Sequence, residues 1–543
     1  MRTVPKQPPD TSTGVPSKPA PTAPHASEAT RLLCAGTYLD TGYRDRVIEE
    51  LHLNEQRVVA PSLGFDAARV LAHALRARRL ELLWSCAVLA LWAGGLAVSY
   101  GLFAGYLLPG VLLALAPWVR GKAAHPPLYR WYPAFLLRWW AWTLLVALLL
   151  LNLLGASGVF GDLVVAPWQW WAALVEFGLI AFCAHTQREQ FHRALAAELS
   201  PARFPDTAND PAEQAAGARR RRLMRRIRVE QHAPLIMYRE AHPFCGAGFA
   251  YDTWVLAVEL RPDDEREDGD RTPISNRVVL DKVRRLVEQL RVPAEQAGPG
   301  VRDRLRALEV DECVFLPVEG LTAREQAPYS AQAFEEHRAR AVEEGAEKRR
   351  HFLRIRVGGW DEELVVTVYV RIHTQGGMLM LEVAPHVLAP VRAAFKDADR
   401  DAHRVRNNTA FGKAAGALAL VPASPFRAVS RFLWGAVHAA RLLTGGYAGA
   451  LPEGPALSVR ELGTDGTGSQ FQAMDVDRYL KSVQDRVANG VRVALAECGY
   501  QTGEFVQKVV NISSGDVHIG SVEGSTFAVG SGASATVSKN QGS

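Results

Sequence analysis

The chain has 543 residues, a formal net charge of +5 and a mean hydropathy of −0.04. This modest charge singles out no polyanionic partner, and six cysteines without a CxxC pair argue against a zinc site or a disulfide framework. The mean hydropathy hides an uneven distribution, because ten of the 13 Trp lie within residues 80–186 together with long apolar runs. Since indole rings favour the membrane interface, we expect this region to lie in a membrane.

Two short regions precede this membrane segment. Residues 1–28 are rich in Pro, Ser, Thr and Ala and are predicted to be disordered, because they cannot bury enough apolar surface to fold. Residues 29–79 show a helical spacing of apolar side chains and are predicted to form a small cytoplasmic helical unit. No motif in this unit indicates chemistry.

The region 80–186 is predicted to contain four transmembrane helices. Residues 82–119 carry no charge, and as one helix these 38 residues would be about 57 Å long against a hydrocarbon core of about 30 Å, so they should form two helices. Apolar runs at 139–161 and 163–184 supply the third and fourth. With four spans every arginine-rich loop falls on one side, so the positive-inside rule predicts a multi-pass protein of the plasma membrane with both termini in the cytoplasm.

Glu176 is the one ionisable residue in the middle of a predicted span. A carboxylate in the bilayer is costly, which makes Glu176 a candidate for an ion or substrate pathway. The simpler interpretation is a protonated side chain that is hydrogen-bonded to a neighbouring helix or paired with Arg138. We favour this simpler interpretation, because transporters usually carry more than one buried polar group.

A polybasic linker at 187–230 follows the membrane region. It contains seven arginines within ten positions, namely Arg219, Arg220, Arg221, Arg222, Arg225, Arg226 and Arg228. Their position next to the bilayer predicts contact with anionic lipid, at about 1 kcal/mol for each charge near the surface. Nucleic acid is a weaker candidate partner, because no aromatic residues interleave the arginines to stack on bases. A solvated topology signal is the alternative that needs no ligand.

Residues 231–405 are predicted to form a cytoplasmic α+β domain with an antiparallel sheet. Ser275 is a good N-cap for a helix at 276–291, whose apolar residues recur at helical spacing. Three strand-like runs then close the domain, separated by glycine pairs, at 353–357, 364–373 and 378–383. Their composition and the glycine pairs between them predict an antiparallel meander.

Within this domain, the segment HPFCGAG at 242–248 offers His242 and Cys245 as weak candidates for a nucleophilic pair. The segment lacks the third glycine of a dinucleotide fingerprint and the lysine of a P-loop. A glycine turn with a small apolar cysteine explains the same residues, and we favour that interpretation because no third orienting group is nearby in the sequence. We therefore predict no catalytic residue, no cofactor and no metal.

Residues 243–260 (PFCGAGFAYDTWVLAVEL) resemble a PF-x-G-x-G…W segment of uncharacterised bacterial multi-pass membrane proteins. Two later segments, 471–483 (FQAMDVDRYLKSV) and 502–505 (TGEF), are similar to the same group, as is the glycine-rich C-terminal end. The resemblance implies a cytoplasmic module joined to a membrane anchor. It implies no activity and transfers no catalytic residues.

Residues 406–446 are predicted to contain an amphipathic helix. Its basic residues share one face, and these are Arg427, Arg431, His438 and Arg441. Such a helix can lie at the membrane surface or in the core of the α+β domain, and periodicity alone does not separate the two.

Two segments end the chain. Residues 470–500 are predicted to form a helix with an apolar seam of three heptads, which favours self-association, with packing on the preceding domain as the alternative. Residues 506–543 contain apolar couples such as Val510/Ile512 between small residues and glycines, and are predicted to form a β-like tail. Because this tail has too few apolar groups to fold alone, we expect it to meet other subunits or a protein partner.

Three functional hypotheses follow from these features. The favoured one is a non-enzymatic, membrane-anchored sensor or assembly protein that presents the α+β module in the cytoplasm. The second is a small transporter or channel built around Glu176. The third is a membrane-bound enzyme, which the lack of a recognisable catalytic constellation disfavours.

Overall fold

The structure is a computed structural model. It describes residues 23–99, 101–121, 126–159, 166–214, 217–263, 274–291, 305, 307–343, 347–359, 363–445, 449–464 and 468–514. Of the region 1–28 that was predicted to be disordered, residues 1–22 lie outside the described residues, as do the predicted β-like couples beyond 514. The prediction is wrong for residues 23–28, because Pro24–Ala26 form a 3-10 turn and the Ser27 side chain caps the helix that begins at Glu28.

The chain begins with a helical unit built from α1 (Glu28–Leu39), α2 (Thr41–Ile48), a π-helical turn (Glu49–Leu53) and the first part of α3 (Ala67–Val98). Asp66 caps α3 by accepting hydrogen bonds from two backbone amides of its first turn. The first three turns of α3 are buried in the core of this unit, whereas its later residues Val88 and Trp92 are buried in a second core. One continuous helix therefore joins two cores.

The second core belongs to a bundle of apolar helices. After α3 come a 3-10 turn (Leu102–Tyr106), α4 (Leu107–Arg120), α5 (Leu128–Ala156) and α6 (Pro167–Arg193). Among the described residues, three helices are long and apolar enough to cross a membrane: Ala67–Val98, Leu102–Arg120 and Leu128–Ala156. The fourth predicted span, α6, is not one of them, and it carries Gln169, Glu176 and His185 along its length.

Helix α6 nevertheless runs the full length of the bundle. Near its start, the ring of Trp170 lies against Gly155 at the end of α5. Near its end, Gln190 accepts a 2.8 Å hydrogen bond from the indole of Trp84 in α3. The π-helical turn that follows (Ala194–Glu198) enters the core of the helical unit. The chain therefore returns to the end of the bundle from which α3 entered it.

Two more helices link the bundle to the α+β domain. They are α7 (Pro211–Gln214) and α8 (Ala218–His232), and α8 carries the arginine cluster. Gln231 accepts a hydrogen bond from the backbone amide of Ala67, so the end of α8 lies beside the start of α3. Burial and, secondarily, the charge of Arg79 lower the pKa of Arg220, so the start of α8 lies near Arg79. The two helices therefore run antiparallel.

In the described residues, the α+β domain contains a seven-stranded sheet of order β1-β4-β5-β6-β7-β2, with β3 also paired to β7. The strands are β1 (Leu235–Tyr238), β2 (Phe249–Ala250), β3 (Trp254–Glu259), β4 (Leu308–Pro317), β5 (Arg350–Gly359), β6 (Leu364–Gln375) and β7 (Met378–Leu388). The predicted meander is confirmed, because β5, β6 and β7 pair antiparallel in sequence order. The sheet as a whole is mixed rather than antiparallel, because β1 pairs parallel with β4.

Three helices cover this sheet, namely α9 (Asn276–Glu288), α10 (Ala331–Glu343) and α16 (Gln470–Glu497). Ser275 caps α9 as predicted. The apolar seam of α16, with Val483 and Val487 each 1% exposed, packs into the domain core. Of the two arrangements considered for the seam, the structure shows the intrachain one, in which the seam packs on its own domain. The apolar side chains of the seam are therefore buried without a second subunit.

The C-terminal end of the described chain is also helical. Helix α17 (Gly503–Ser514) follows α16, so the predicted strand couple Val510/Ile512 lies in a helix. The twelve residues from Gly503 to Ser514 contain no proline, which permits this helix, and Phe505 anchors it in the domain core.

Between β7 and α16 the chain leaves the sheet and returns to the bundle. This excursion contains α11 (Ala393–Lys396), α12 (Ala398–Arg406), α13 (Ala410–Leu418), α14 (Ser424–Thr444) and α15 (Val459–Leu462). Helix α14 packs along α3 rather than against the sheet. The interpretation of 406–446 as a core helix of the α+β domain is therefore wrong.

Candidate functional site

A compact loop, residues 239–248, connects β1 to β2. Successive turns close it, with Cys245 N donating to the carbonyl of His242 at 3.3 Å and Ala247 N to that of Phe244 at 3.0 Å. Gly246 and Gly248 have φ angles of +100° and +97°. A methyl group on Gly248 would lie 2.1 Å from the carbonyl oxygen of Val387. Only glycine allows this loop to turn so closely over β7.

The two glycine amides converge on one carboxylate. Gly246 N and Gly248 N donate to the same oxygen of Glu461, at 2.8 and 2.9 Å. Glu461 lies in α15, more than 200 positions away in the sequence. Burial raises the pKa of Glu461, while these two hydrogen bonds and the nearby His242 act in the opposite direction. Glu461 therefore fastens the loop to the segment that carries α15.

Phe244 holds the loop to the sheet. Its ring packs against four aromatic or imidazole rings of the sheet, with centroid distances of 4.5–5.7 Å, namely those of His386, Tyr369, Phe315 and Phe352. Such ring pairs each contribute about 0.5–1.5 kcal/mol beyond the burial of their area. The loop is thus a fixed part of the domain rather than a loose connection.

A cavity of about 560 Å³ opens beside this loop. The loop, the end of β7 and the segment 456–464 each contribute residues to its wall. Its polar residues are His242, Cys245, His386, Glu461 and Thr464, and the rest of the wall is largely apolar. This volume lies in the range of small-molecule sites, which combine apolar walls with a few polar groups.

His386 is the most buried of these polar residues, at 5% exposure. Burial lowers the pKa of His386, so its imidazole is neutral at pH 7. Its Nδ1 lies 3.1 Å from the carbonyl oxygen of Ala384, a distance at which Nδ1 must carry the proton. The other nitrogen, Nε2, is then a hydrogen-bond acceptor, which suits a ligand with an N–H or O–H group.

The predicted weak candidates His242 and Cys245 both line this cavity. His242 is exposed, and Cys245 is partly buried. Burial raises the pKa of the Cys245 thiol, which is the opposite of what a nucleophilic cysteine needs. The geometry therefore favours a binding role for these residues over covalent catalysis.

The cavity is also tied to the helical unit. Glu50, in the π-helical turn after α2, accepts hydrogen bonds from the amides of Ala456 and Leu457 at 2.9 and 3.3 Å. On the other side, Gly246 lies so close to Pro61 that a methyl group there would be 2.6 Å from its carbonyl oxygen. The walls of the cavity thus contact both the sheet and the unit that leads into the bundle of apolar helices.

The arginine cluster divides into two groups on α8. Arg219, Arg226 and Arg228 form ion pairs with Glu55, Glu325 and the pair Asp66 and Glu213. The other four have no carboxylate partner among the described residues, and they are Arg220, Arg221, Arg222 and Arg225. Three of these four, with Arg228, line a cavity of about 280 Å³ between α8 and the start of α3. The cluster is therefore partly structural and partly available to anions.

Glu176 lies at the contact between α6 and α3. A methyl group on Gly95 would lie 2.6 Å from Cγ of Glu176, so the side chain fills the space that this glycine leaves. The described residues offer Glu176 neither a hydrogen-bond partner nor an ion pair with Arg138, which is exposed. Neither arrangement suggested for a structural Glu176 is thus present in the structure.

Two polar residues of the cavity, Glu461 and His386, were not predicted from the sequence. Glu461 is distant in sequence from the glycines that it binds, and nothing in its own neighbourhood indicates a partner. His386 interrupts the apolar end of β7, and a histidine within a buried strand was the one available indication.

Comparison with known proteins gives one match. A model of the AbeC-like domain matches residues 253–525, which is half of the chain. No curated protein and no solved structure matches it. The matched region begins with β3 and contains the meander, α13, α14, Glu461 and α16. The chain therefore belongs to the AbeC-like domain family.

Proposed function

We propose that this protein is a non-enzymatic, membrane-anchored sensor, in which a ligand in the 560 Å³ cavity changes how the α+β domain sits on the membrane helices. The observation that carries the proposal is the shared wall of this cavity. Glu461 joins the loop to α15, and Glu50 joins the adjoining segment to the helical unit. A ligand that shifts α15 would therefore act on both the α+β domain and the helical unit.

The coupling can be tested without knowing the ligand. Leu457 lines the cavity and is 41% exposed, so Leu457→Trp should occupy part of the space that a ligand would fill. We expect amide hydrogen exchange in residues 67–79 of α3 to change at least about fivefold, the lower end of typical coupling between sites. Leu451→Trp, at an exposed position outside the cavity, is the matched control. Unchanged exchange in the Leu457 variant would refute the sensor mechanism.

The proposal places four spans in the plasma membrane with both termini in the cytoplasm. Its support is the path of α6, which returns the chain to the helical unit despite its polar residues. Reporter fusions after residues 79, 102, 125, 161 and 200 should alternate between inside and outside, beginning and ending inside. An outside signal at 200 would exclude this topology.

The unpaired arginines of α8 are proposed to bind anionic lipid. Arg220 lies near Arg79, three positions before the charge-free run begins at Leu82, so this end of α8 lies at the membrane surface. Native mass spectrometry of the full chain should show retained phosphatidylglycerol in preference to phosphatidylcholine. Replacing Arg220, Arg221 and Arg225 together by Gln should abolish this preference, whereas Arg226→Gln, which removes a paired arginine, should preserve it.

Association with other subunits or a protein partner is proposed through the segment after α17, since the seam of α16 is buried in its own domain. The reason is the low apolar content of that segment in a single copy. Full chain in detergent should sediment as an oligomer, and a chain ending at 514 as a monomer. A full chain that sediments as a monomer would remove this part of the proposal.

A second candidate function is proton-coupled transport through the bundle. The observation that favours it is the lack of any partner for Glu176 among the described residues, at a depth where a structural carboxylate would need one. Glu176→Gln should leave folding and membrane insertion intact under both hypotheses. Loss of a proton-coupled flux in vesicles of the Gln variant would favour the transporter over the sensor.

A further inference from the structure

Helices α13 and α14 form a hairpin that lies among the membrane helices. At its tip, the indole of Trp92 in α3 donates a 3.0 Å hydrogen bond to Ser424 Oγ. Farther along α14, a methyl group on Gly435 would lie 2.8 Å from the side chain of Leu82. Val421, between the two helices, is 0% exposed and belongs to the core of the bundle. The connection between α13 and α14 is therefore the part of the hairpin that lies inside the bundle.

Two independent contacts give the depth of the tip. Trp92 lies ten residues beyond Leu82, where the charge-free run begins, which is about 15 Å along a helix. On α4, a methyl group on Gly110 would lie 2.1 Å from the carbonyl oxygen of Pro422, and Gly110 is ten residues from Arg120 at the end of that helix. Both distances equal half of a hydrocarbon core of about 30 Å.

The faces of α14 are reversed relative to a helix of a soluble domain. Its basic side faces α3 and the helical unit, where Arg431 pairs with Glu81 at 3.1 Å and Arg441 with Glu49 at 3.5 Å. Its outward side is apolar and exposed over three turns, including Phe426, Val429, Phe432, Leu433 and Trp434. A monomeric soluble protein rarely leaves such a continuous apolar face in water, whereas a lipid-facing helix requires one.

The backbone at the tip has partners that replace water. Ser424 Oγ donates to the carbonyl of Val421 at 2.6 Å, and the guanidinium of Arg427 donates to the carbonyl of Leu420 at 2.9 Å. Arg427 also lines a polar crevice of about 190 Å³ with Glu81 and Gln187. Irregular backbone is tolerated at membrane depth only where such partners or a hydrated crevice satisfy it.

We propose that residues 410–444 form a re-entrant hairpin that enters the bilayer from the side of the α+β domain and ends near the midplane, with the outer face of α14 against lipid acyl chains. The inference rests on the proposed membrane location of the bundle. It goes beyond that proposal by making the AbeC-like domain itself a membrane-inserted element. The sheet is then attached to the membrane both before β1 and after β7.

The occupant of the outer face can be identified by photo-crosslinking in the full chain, reconstituted in phosphatidylcholine vesicles. A photoreactive phenylalanine analogue is placed at Val429, which is 45% exposed on α14. Leu179 on α6 is 44% exposed and serves as the membrane control, and Val278 on α9 is 49% exposed and serves as the soluble control. Mass spectrometry then measures the fraction of chains that carry a phospholipid adduct.

We expect Val429 to form lipid adducts at a yield within about twofold of Leu179 and at least about tenfold above Val278. A lipid yield at Val429 as low as that at Val278, with Leu179 labelled, would overturn the hairpin and leave the bundle in the membrane. Cross-linking of Val429 to a second copy of the chain would also overturn it, because protein would then cover the face. Background yields at both Val429 and Leu179 would refute the membrane location itself.

Discussion

The close approach of Gly248 to β7 makes a quantitative prediction about the cavity loop. Replacement of a glycine at φ +97° by alanine costs about 1–2 kcal/mol from backbone strain alone. In addition, the new methyl group would lie 2.1 Å from the Val387 carbonyl oxygen, so the loop must move away from β7. That movement breaks the 2.9 Å hydrogen bond from Gly248 N to Glu461, and a hydrogen bond to a charged group contributes about 1.5–3 kcal/mol. Gly248→Ala should therefore destabilise the domain by about 2.5–5 kcal/mol.

Gly320 supplies a matched control for this prediction. Its φ is +103°, and a methyl group added there meets no atom within 4 Å. Gly320→Ala should thus show the backbone strain alone, about 1–2 kcal/mol. The midpoint of thermal unfolding of the full chain in detergent, followed by near-UV circular dichroism, should fall further for Gly248→Ala than for Gly320→Ala. Equal decreases would show that neither the contact with β7 nor the bond to Glu461 stabilises the loop.

Three further changes test other parts of the structure. Gly110→Ala should lower the same midpoint, because its methyl group would overlap a carbonyl of the hairpin tip, whereas Gly178→Ala on α6 faces open space and should not. Burial alone would raise the pKa of Glu312, but hydrogen bonds from His351 and neighbouring arginines lower it overall. The stability that ionised Glu312 contributes is therefore complete above the unfolded pKa of about 4.3 and is lost as pH falls below it. In the Glu312→Gln variant the midpoint of thermal unfolding should therefore depend less on pH over that range. Val487→Asp should destabilise the chain and leave its sedimentation coefficient unchanged before unfolding, since this side chain faces its own domain core.

Local patterns predicted the elements whose partners are near in sequence. Helix α9 follows Ser275 as expected, because both the cap and the apolar stripe lie within one segment. The meander β5-β6-β7 was predictable because its strands follow one another closely in the sequence, and Gly376 and Gly377 form the turn between β6 and β7. The loop at 242–248 was recognised as a glycine turn for the same reason, since its φ requirements are local.

Features that depend on distant contacts were not predictable from one sequence. The cavity needs Glu461, which lies 213 positions from Gly248, and no local pattern indicates that pairing. The seam of α16 is equally compatible with a second subunit and with its own domain, and only the packing on α9 decides between them. Helix α14 has a basic and an apolar face under either interpretation, but the sequence does not say which face turns inward.

The continuity of α3 restricts how the length of this protein can vary. Because the same helix is buried in the helical unit up to Ala77 and in the bundle from Val88, each inserted residue between them would turn one core by about 100° and displace it by about 1.5 Å relative to the other. An insertion of seven residues, nearly two full turns, would restore the relative rotation but move the helical unit about 10 Å farther from the bundle, out of reach of the contacts between α14 and the start of the bundle. We therefore expect relatives with the same architecture to keep the spacing between these two buried stretches, and to place their insertions in the connections of the α+β domain instead.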